Sequence, residues 1–226
     1  MLICNVGTFD LFHVGHIAVL KKAQEYGTYV IVGIYSDKVK NHFIFLLFVF
    51  LICCSTISYR QMALESPHKL ISLEDSLRNT GLSKKNQEAL ALAHKNIGLK
   101  KTIKKDYKGA KVHFLNVFNY TNEDSIAQYN LFMIDGHLLR GTGNKEKLWD
   151  AIELYYKAIR IQPLNGEPYF FIGKAYESLG NKDFDLILES YQKALSLHLS
   201  SELKEKVEAE ISLVSDREKK LKDFWK

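Results

Sequence analysis

"PYFFIGKAYESLGN", residues 168 to 181, sets Tyr169, Ile172, Gly173 and Tyr176 at helical spacing and closes on Leu179-Gly180. Residues recurring at i, i+3, i+4 and i+7 describe one face of a helix, and a glycine after the last of them is a helix stop. A window opened at Gly166 holds this helix and then Tyr191 and Ala194. Opened at Tyr129, it holds Phe132, Gly136, Leu139 and Gly143, followed by Ala151, Tyr155, Ala158 and Pro163. Opened at Ala91, it holds Ile97-Gly98, Tyr107, Ala110 and Phe114. The windows start 38 and 37 residues apart. Self-similarity at such a period predicts a stack of supersecondary units. Each unit reads as two helices, with small residues where the helices cross closely and aromatics filling the space between units.

The second unit's second helix, "LWDAIELYYKAIRIQP" (148–163), and the quoted stretch resemble the tetratricopeptide repeat. The resemblance covers roughly residues 88 to 199, with about three extra residues after Gly143, about two between Lys182 and Leu188, and a loose first unit. It implies an all-α helical repeat over 91–199, preceded by a helical linker over 58–90. Residues 200–226 then read as a charged amphipathic helix with Leu203, Val207, Ile211 and Val214 on one face. A helix of that kind is expected as the capping element of a stack. The function implied is that of an adaptor whose concave face takes a peptide or partner protein, without catalysis.

Composition narrows the classes. The chain has 31 basic and 26 acidic residues, a formal net charge of +5, and 46% hydrophobic residues. Its lysine pairs (Lys84-Lys85, Lys100-Lys101, Lys104-Lys105, Lys219-Lys220) fall on helical patterns and read as solvated faces, which argues against a nucleic-acid partner. Cys4, Cys53 and Cys54 are odd in number and two are adjacent, which suits a reducing compartment and predicts a cytoplasmic protein. No basic region precedes a long apolar stretch at the N-terminus, so no signal peptide is expected. "FIFLLFVFLICC" (43–54) is twelve residues long, short of the roughly 20 needed for a membrane span. The apolar segment 43–57 reads either as a buried strand or as sequence foreign to its neighbours.

The first 42 residues follow a different logic. Leu2 to Val6 is a short apolar strand candidate, Gly15 to Tyr26 is a helix stopped by Gly27, and Tyr29 to Tyr35 is a β-branched strand. Strand, helix and strand in about 35 residues make a parallel βαβ unit. "GTFDLFHVGH" (7–16) fills its first turn. Gly7 frees the backbone at the strand's carboxyl end, and Thr8 or Asp10 can satisfy free amides there. His13 and His16, three apart, share one face of the helix start, and Gly15 lets a ligand approach the backbone. Two imidazoles beside a helix N-terminus form an anion site suited to phosphate.

"GTFDLFHVGHIAVLKKAQEYG" with "YVIVGIYSDKV" resembles the cytidylyltransferases of phospholipid synthesis, and within them the ethanolamine-phosphate branch. The likeness covers residues 2–42, where Gly7, Phe9, Asp10, His13, Gly15, His16, Gly33, Ser36 and Asp37 fall at the family's positions; Val39-Lys40-Asn41-His42 favours phosphoethanolamine over phosphocholine or glycerol-phosphate. It implies a partial Rossmann-like nucleotidyltransferase fold and transfer of CMP from CTP to phosphoethanolamine, with pyrophosphate leaving under Mg²⁺ assistance. His13 and His16 would hold the triphosphate and stabilise the leaving group. Gly7, Thr8, Phe9, Asp10 and Gly15 would line the nucleotide, and Lys40 would assist. The family's second signature has no counterpart between Phe43 and Lys226, so the catalytic fold is expected to be incomplete and activity impaired; the sequence nonetheless puts the nucleotidyltransferase first and the adaptor as its alternative.

Overall fold

The computed structural model describes residues 58–180 and 183–225, and from Tyr59 onward these form one compact unit. The βαβ unit expected over 1–42 and the apolar segment 43–57 lie outside the described residues. Within them the chain is helical. Three short helices, α1 (Tyr59–Glu65), α2 (Pro67–Ile71) and α3 (Glu74–Asn79), come first. Three hairpins follow: α4 (Lys84–Ile103) with α5 (Tyr107–Val117), α6 (Ser125–Arg140) with α7 (Lys145–Ile161), and α8 (Glu167–Ser178) with α9 (Phe184–Leu195). A long helix, α10 (Ser201–Phe224), closes the series. From α4 onward each helix packs against the next in the chain.

Local chemistry starts these helices where they start. Ser83, Asp106, Asp124, Asn144 and Ser200 each accept, through the side chain, the free amide three residues on. Such a cap satisfies one of the amides that a helix N-terminus leaves without an intrahelical partner, and is worth about 1 kcal/mol.

The periodicity in the sequence becomes a repeated crossing. Gly98, Gly136 and Gly173 lie on the first helix of each hairpin, and each meets an aromatic ring from the second helix. A Cβ at Gly136 would stand 2.5 Å from Tyr155 Cε1, one at Gly173 2.4 Å from Tyr191 Cε1, and one at Gly98 2.9 Å from Phe114 Cζ. Phe114, Tyr155 and Tyr191 are fully buried, so the glycines are what allow the rings to lie across the first helices. Ala110 and Ala151, one turn before Phe114 and Tyr155, and Ala158 and Ala194, three after Tyr155 and Tyr191, are also fully buried. The fold is therefore a helical repeat of three units.

Both ends of the stack are covered. Val207 and Val214 of α10 are fully buried in a cluster with Phe170, Ile187, Tyr191 and Ala194, and Leu203 and Ile211 pack around it. At the other end Ala63, Leu70 and Leu77 from α1–α3 pack on Ala89, Leu90 and Ala93 of α4. The stretch 58–90 thus contains α1–α3 and the opening turns of α4, a helix it shares with the first repeat window. The loops after α7 and α9 are tied by a parallel bridge, with His198 N donating to Leu164 O and Gly166 N to His198 O, both 2.9 Å. No helix among the described residues is long and apolar enough to cross a membrane.

Candidate functional site

Gly7, Thr8, Phe9, Asp10, His13, Gly15, His16 and Lys40, the residues that the sequence nominates for nucleotide chemistry, all lie outside the described residues. What the described residues offer instead is a pair of polar clusters built into the repeats.

The first cluster forms where Tyr155 crosses α6 at Gly136. Its hydroxyl lies beside the next residue of that helix and shares a buried hydrogen bond of 3.0 Å with His137 Nδ1. His137 is only 7% exposed, between the rings of Tyr107 (centroids 4.9 Å apart) and Phe171 (4.3 Å, edge-on). Burial, helped by the positive charge of Arg140, pushes its imidazole down to about 3, so it is neutral. Burial likewise raises the phenols of Tyr155 and Tyr107. Arg140, at the end of α6, holds its guanidinium 5.4 Å from the Phe171 ring centroid. Its Nε is buried and has no hydrogen-bond acceptor. His137 and the two phenols are uncharged, so Arg140 carries the positive charge here, and the Glu167 carboxyl is near enough to raise both phenols further.

Beside this cluster, Glu167 begins α8. Burial raises its carboxyl, while the Tyr129 hydroxyl, donating at 3.3 Å, works in the opposite direction. Asn165 Nδ2 donates to the same hydroxyl at 2.9 Å. Glu167 also lines an open cavity of about 690 Å³ with Gln162, Leu164, Asn165, His198 and Leu203.

The second cluster joins α3, α4 and α5. His94 is 1% exposed and holds Glu74 Oε2 through Nε2 at 3.1 Å and His113 Nδ1 through its own Nδ1 at 3.0 Å. Arg78 Nη2 donates to Glu74 Oε1 at 2.9 Å and to Tyr120 Oη at 2.7 Å, and the Tyr120 hydroxyl donates to Glu74 Oε1. Burial works to raise the Glu74 carboxyl, but hydrogen bonds from Tyr120 and His94 and the charges of His94 and Arg78 hold it below its ordinary value. Burial lowers both imidazoles, His113 to about 4. In the neutral tautomer that donates Nε2–H to Glu74, His94 Nδ1 is an acceptor and His113 supplies the proton between the rings; in the charged form His94 donates to both. Among the described residues no group of three His, Cys, Asp or Glu side chains converges as a metal site.

Sequence reasoning passed over His94, His113, His137 and Arg140, yet the repeat alignment carried a signal for His94 and Arg140. His94 stands where the next two units have Phe132 and Tyr169, and Arg140 where its neighbours have Thr102 and Glu177. A polar residue at an aromatic position, and a charge whose sign reverses between units, mark sites at which each unit is individual.

Comparison with known proteins finds a family match near the N-terminus. A family model described as cytidylyltransferase-like matches residues 5–48. The Arabidopsis thaliana ethanolamine-phosphate cytidylyltransferase is 50% identical over 32 residues, covering 14% of this chain and 8% of that protein. The Dictyostelium discoideum ethanolamine-phosphate cytidylyltransferase is 58% identical over 33 residues, 15% of this chain and 9% of that one. The glycerol-3-phosphate cytidylyltransferase of Bacillus spizizenii is 47% identical over 36 residues, 16% and 28%. The chain spans less than a third of the length of each of these relatives. Among solved structures, MamA from Desulfovibrio magneticus RS-1 aligns with a TM-score of 0.43 at 19% identity, over 72% of this chain and 82% of that one. The N-terminal segment is thus cytidylyltransferase-like over a short match, and the helical region carries its own evidence in its packing.

Proposed function

We propose that this chain is a helical-repeat adaptor that engages a protein segment through the face of its first helices, α4, α6 and α8. One observation carries the reading. Three hairpins repeat the same glycine–aromatic crossing and are covered at both ends, while the first helices carry side chains that differ from unit to unit. A constant scaffold with individual side chains on one face is how repeat stacks present a binding surface. The test is selection of 12-residue peptides from a displayed library on the purified full chain, followed by hydrogen exchange with the enriched peptides bound. Protection confined to the first helices α4, α6 and α8 supports the adaptor. No enrichment, or protection confined to α7 and α9, refutes it.

A second reading is favoured by the match over residues 5–48, which contains His13 and His16. In it the N-terminal segment binds CTP and transfers CMP to phosphoethanolamine, with Mg²⁺ as the family's metal and His13 and His16 on the triphosphate. His13→Ala and His16→Ala should each abolish any CTP-dependent rise in melting temperature measured with Mg²⁺ present. An equal rise in wild type and both variants removes this reading.

A further inference from the structure

One turn beyond the crossing glycine, the three first helices carry Thr102, Arg140 and Glu177 at equivalent positions. At Glu177 the charge is closed. Lys174 Nζ lies 2.7 Å from its carboxylate and Arg217 Nη2 2.6 Å, the latter delivered by α10, which also brings Glu210 to within 3.0 Å of Lys174. At Arg140 the following first helix, α8, brings the Phe171 ring instead of an acid. No carboxylate among the described residues lies within ion-pair distance of Arg140.

The nearby acids are committed elsewhere. Asp135, on the same helix, is held by Lys111 at 2.6 Å, and Glu167 receives the Tyr129 hydroxyl. A guanidinium drawn out of water without an acid partner or a full set of acceptors carries a desolvation cost that stacking on an aromatic face offsets only in part. The Tyr155 hydroxyl takes one hydrogen bond from this guanidinium, and stacking leaves the remaining in-plane N–H donors, whose geometry suits a carboxylate. Arg140 is half-buried as a residue, with its Nε enclosed.

We infer that Arg140 anchors a side-chain carboxylate from an acidic segment of a partner protein, held at the seam between α6 and α8. This rests on the adaptor reading and names the chemistry its face selects. A single guanidinium matches a singly charged carboxylate, whereas a dianionic phosphate calls for more than one cation. The net charge of +5 favours an acidic partner at longer range.

The experiment is an array of synthetic 12-residue peptides with randomised flanks and a central Glu, each beside twins carrying Gln or phosphoserine at that position, probed with the labelled full chain. Wild type is expected to be retained on Glu peptides about tenfold more strongly than on their Gln twins. Arg140→Gln should abolish that preference while its thermal melt remains cooperative. Arg140→Lys keeps the charge but loses the fork, so it should show a weakened preference; it also serves if the glutamine variant fails to fold. Equal retention on Glu and Gln twins, a preference unchanged in Arg140→Gln, or phosphoserine outranking Glu overturns the inference while leaving the adaptor standing. Retention on no peptide overturns both.

Discussion

Adding one methyl group at Gly136 tests the crossing on which the fold rests. In Gly136→Ala the new Cβ would lie 2.5 Å from Tyr155 Cε1, 2.9 Å from Cζ and 3.0 Å from Cδ1. Ordinary contact begins near 3.4 Å, so the ring must retreat by nearly an ångström. Tyr155 is fully buried among Ala151, Ile152, Ala158, Ile172 and Ala175, and its hydroxyl is tied to His137, so nothing gives readily. Overpacking of this kind costs about 1–3 kcal/mol, and a contact this short in a closed core belongs at the upper end. Exchanging glycine for alanine inside a helix returns about 1 kcal/mol. The net expectation is a loss of about 2 kcal/mol, or roughly 4–8 °C in melting temperature for a unit of this size. Urea unfolding followed by circular dichroism, with an unchanged slope, gives the number directly. Gly173→Ala, at 2.4 Å from Tyr191, should cost at least as much, and Gly98→Ala, at 2.9 Å from Phe114, clearly less. A neutral or stabilised Gly136→Ala would show that α6 and α7 do not cross as described, and the reasoning would fail with it.

Lys105 sits in the α4–α5 turn with φ of 60°, a left-handed conformation that glycine adopts without strain. Lys105→Gly should therefore stabilise by up to about 1 kcal/mol in the same unfolding assay, the left-handed cost of roughly 1–2 kcal/mol less glycine's entropy loss of roughly 0.5–1. Val214, fully buried where α10 covers the last hairpin, should be intolerant of charge: Val214→Asp is expected to lower the melting temperature by more than 5 °C, on the order of a 2–3 kcal/mol loss, and a shift within error would mean α10 does not act as the cap. The His113 imidazole, facing His94 with Lys101, His68 and Asp106 nearby, is held at about 4 against an ordinary 6.5. The unfolded chain therefore binds this proton first as the pH falls. The stabilisation is complete above pH 6.5, declines as the pH drops toward 4, and is constant below that. His113→Gln should flatten this stretch of the stability profile, and an unchanged slope would place the burial elsewhere.

The helical part of this protein was legible because its decisive contacts are close in sequence. Gly136 and Tyr155, or Gly173 and Tyr191, are separated by one hairpin, so their pairing appears as a period that can be counted. Leu203, Val207, Ile211 and Val214 were legible as one face for the same reason, since helical spacing alone sets them together. Likewise the N-terminal segment announced itself through a compact motif in which Gly7, His13 and His16 sit within ten residues.

The charges are another matter. Thr102, Arg140 and Glu177 occupy one position of the repeat, and periodicity treats them alike. Only the packing shows that Glu177 meets Arg217, 40 residues away on α10, while Arg140 meets a phenylalanine ring. The same holds for His94, which reads as a flaw in the aromatic pattern until the fold sets it between Glu74 and His113. Apolar burial is non-directional and follows from spacing, so sequence determines it. Whether a buried charge finds its partner depends on which atoms arrive within about 3 Å of it, and that is decided only when the helices pack.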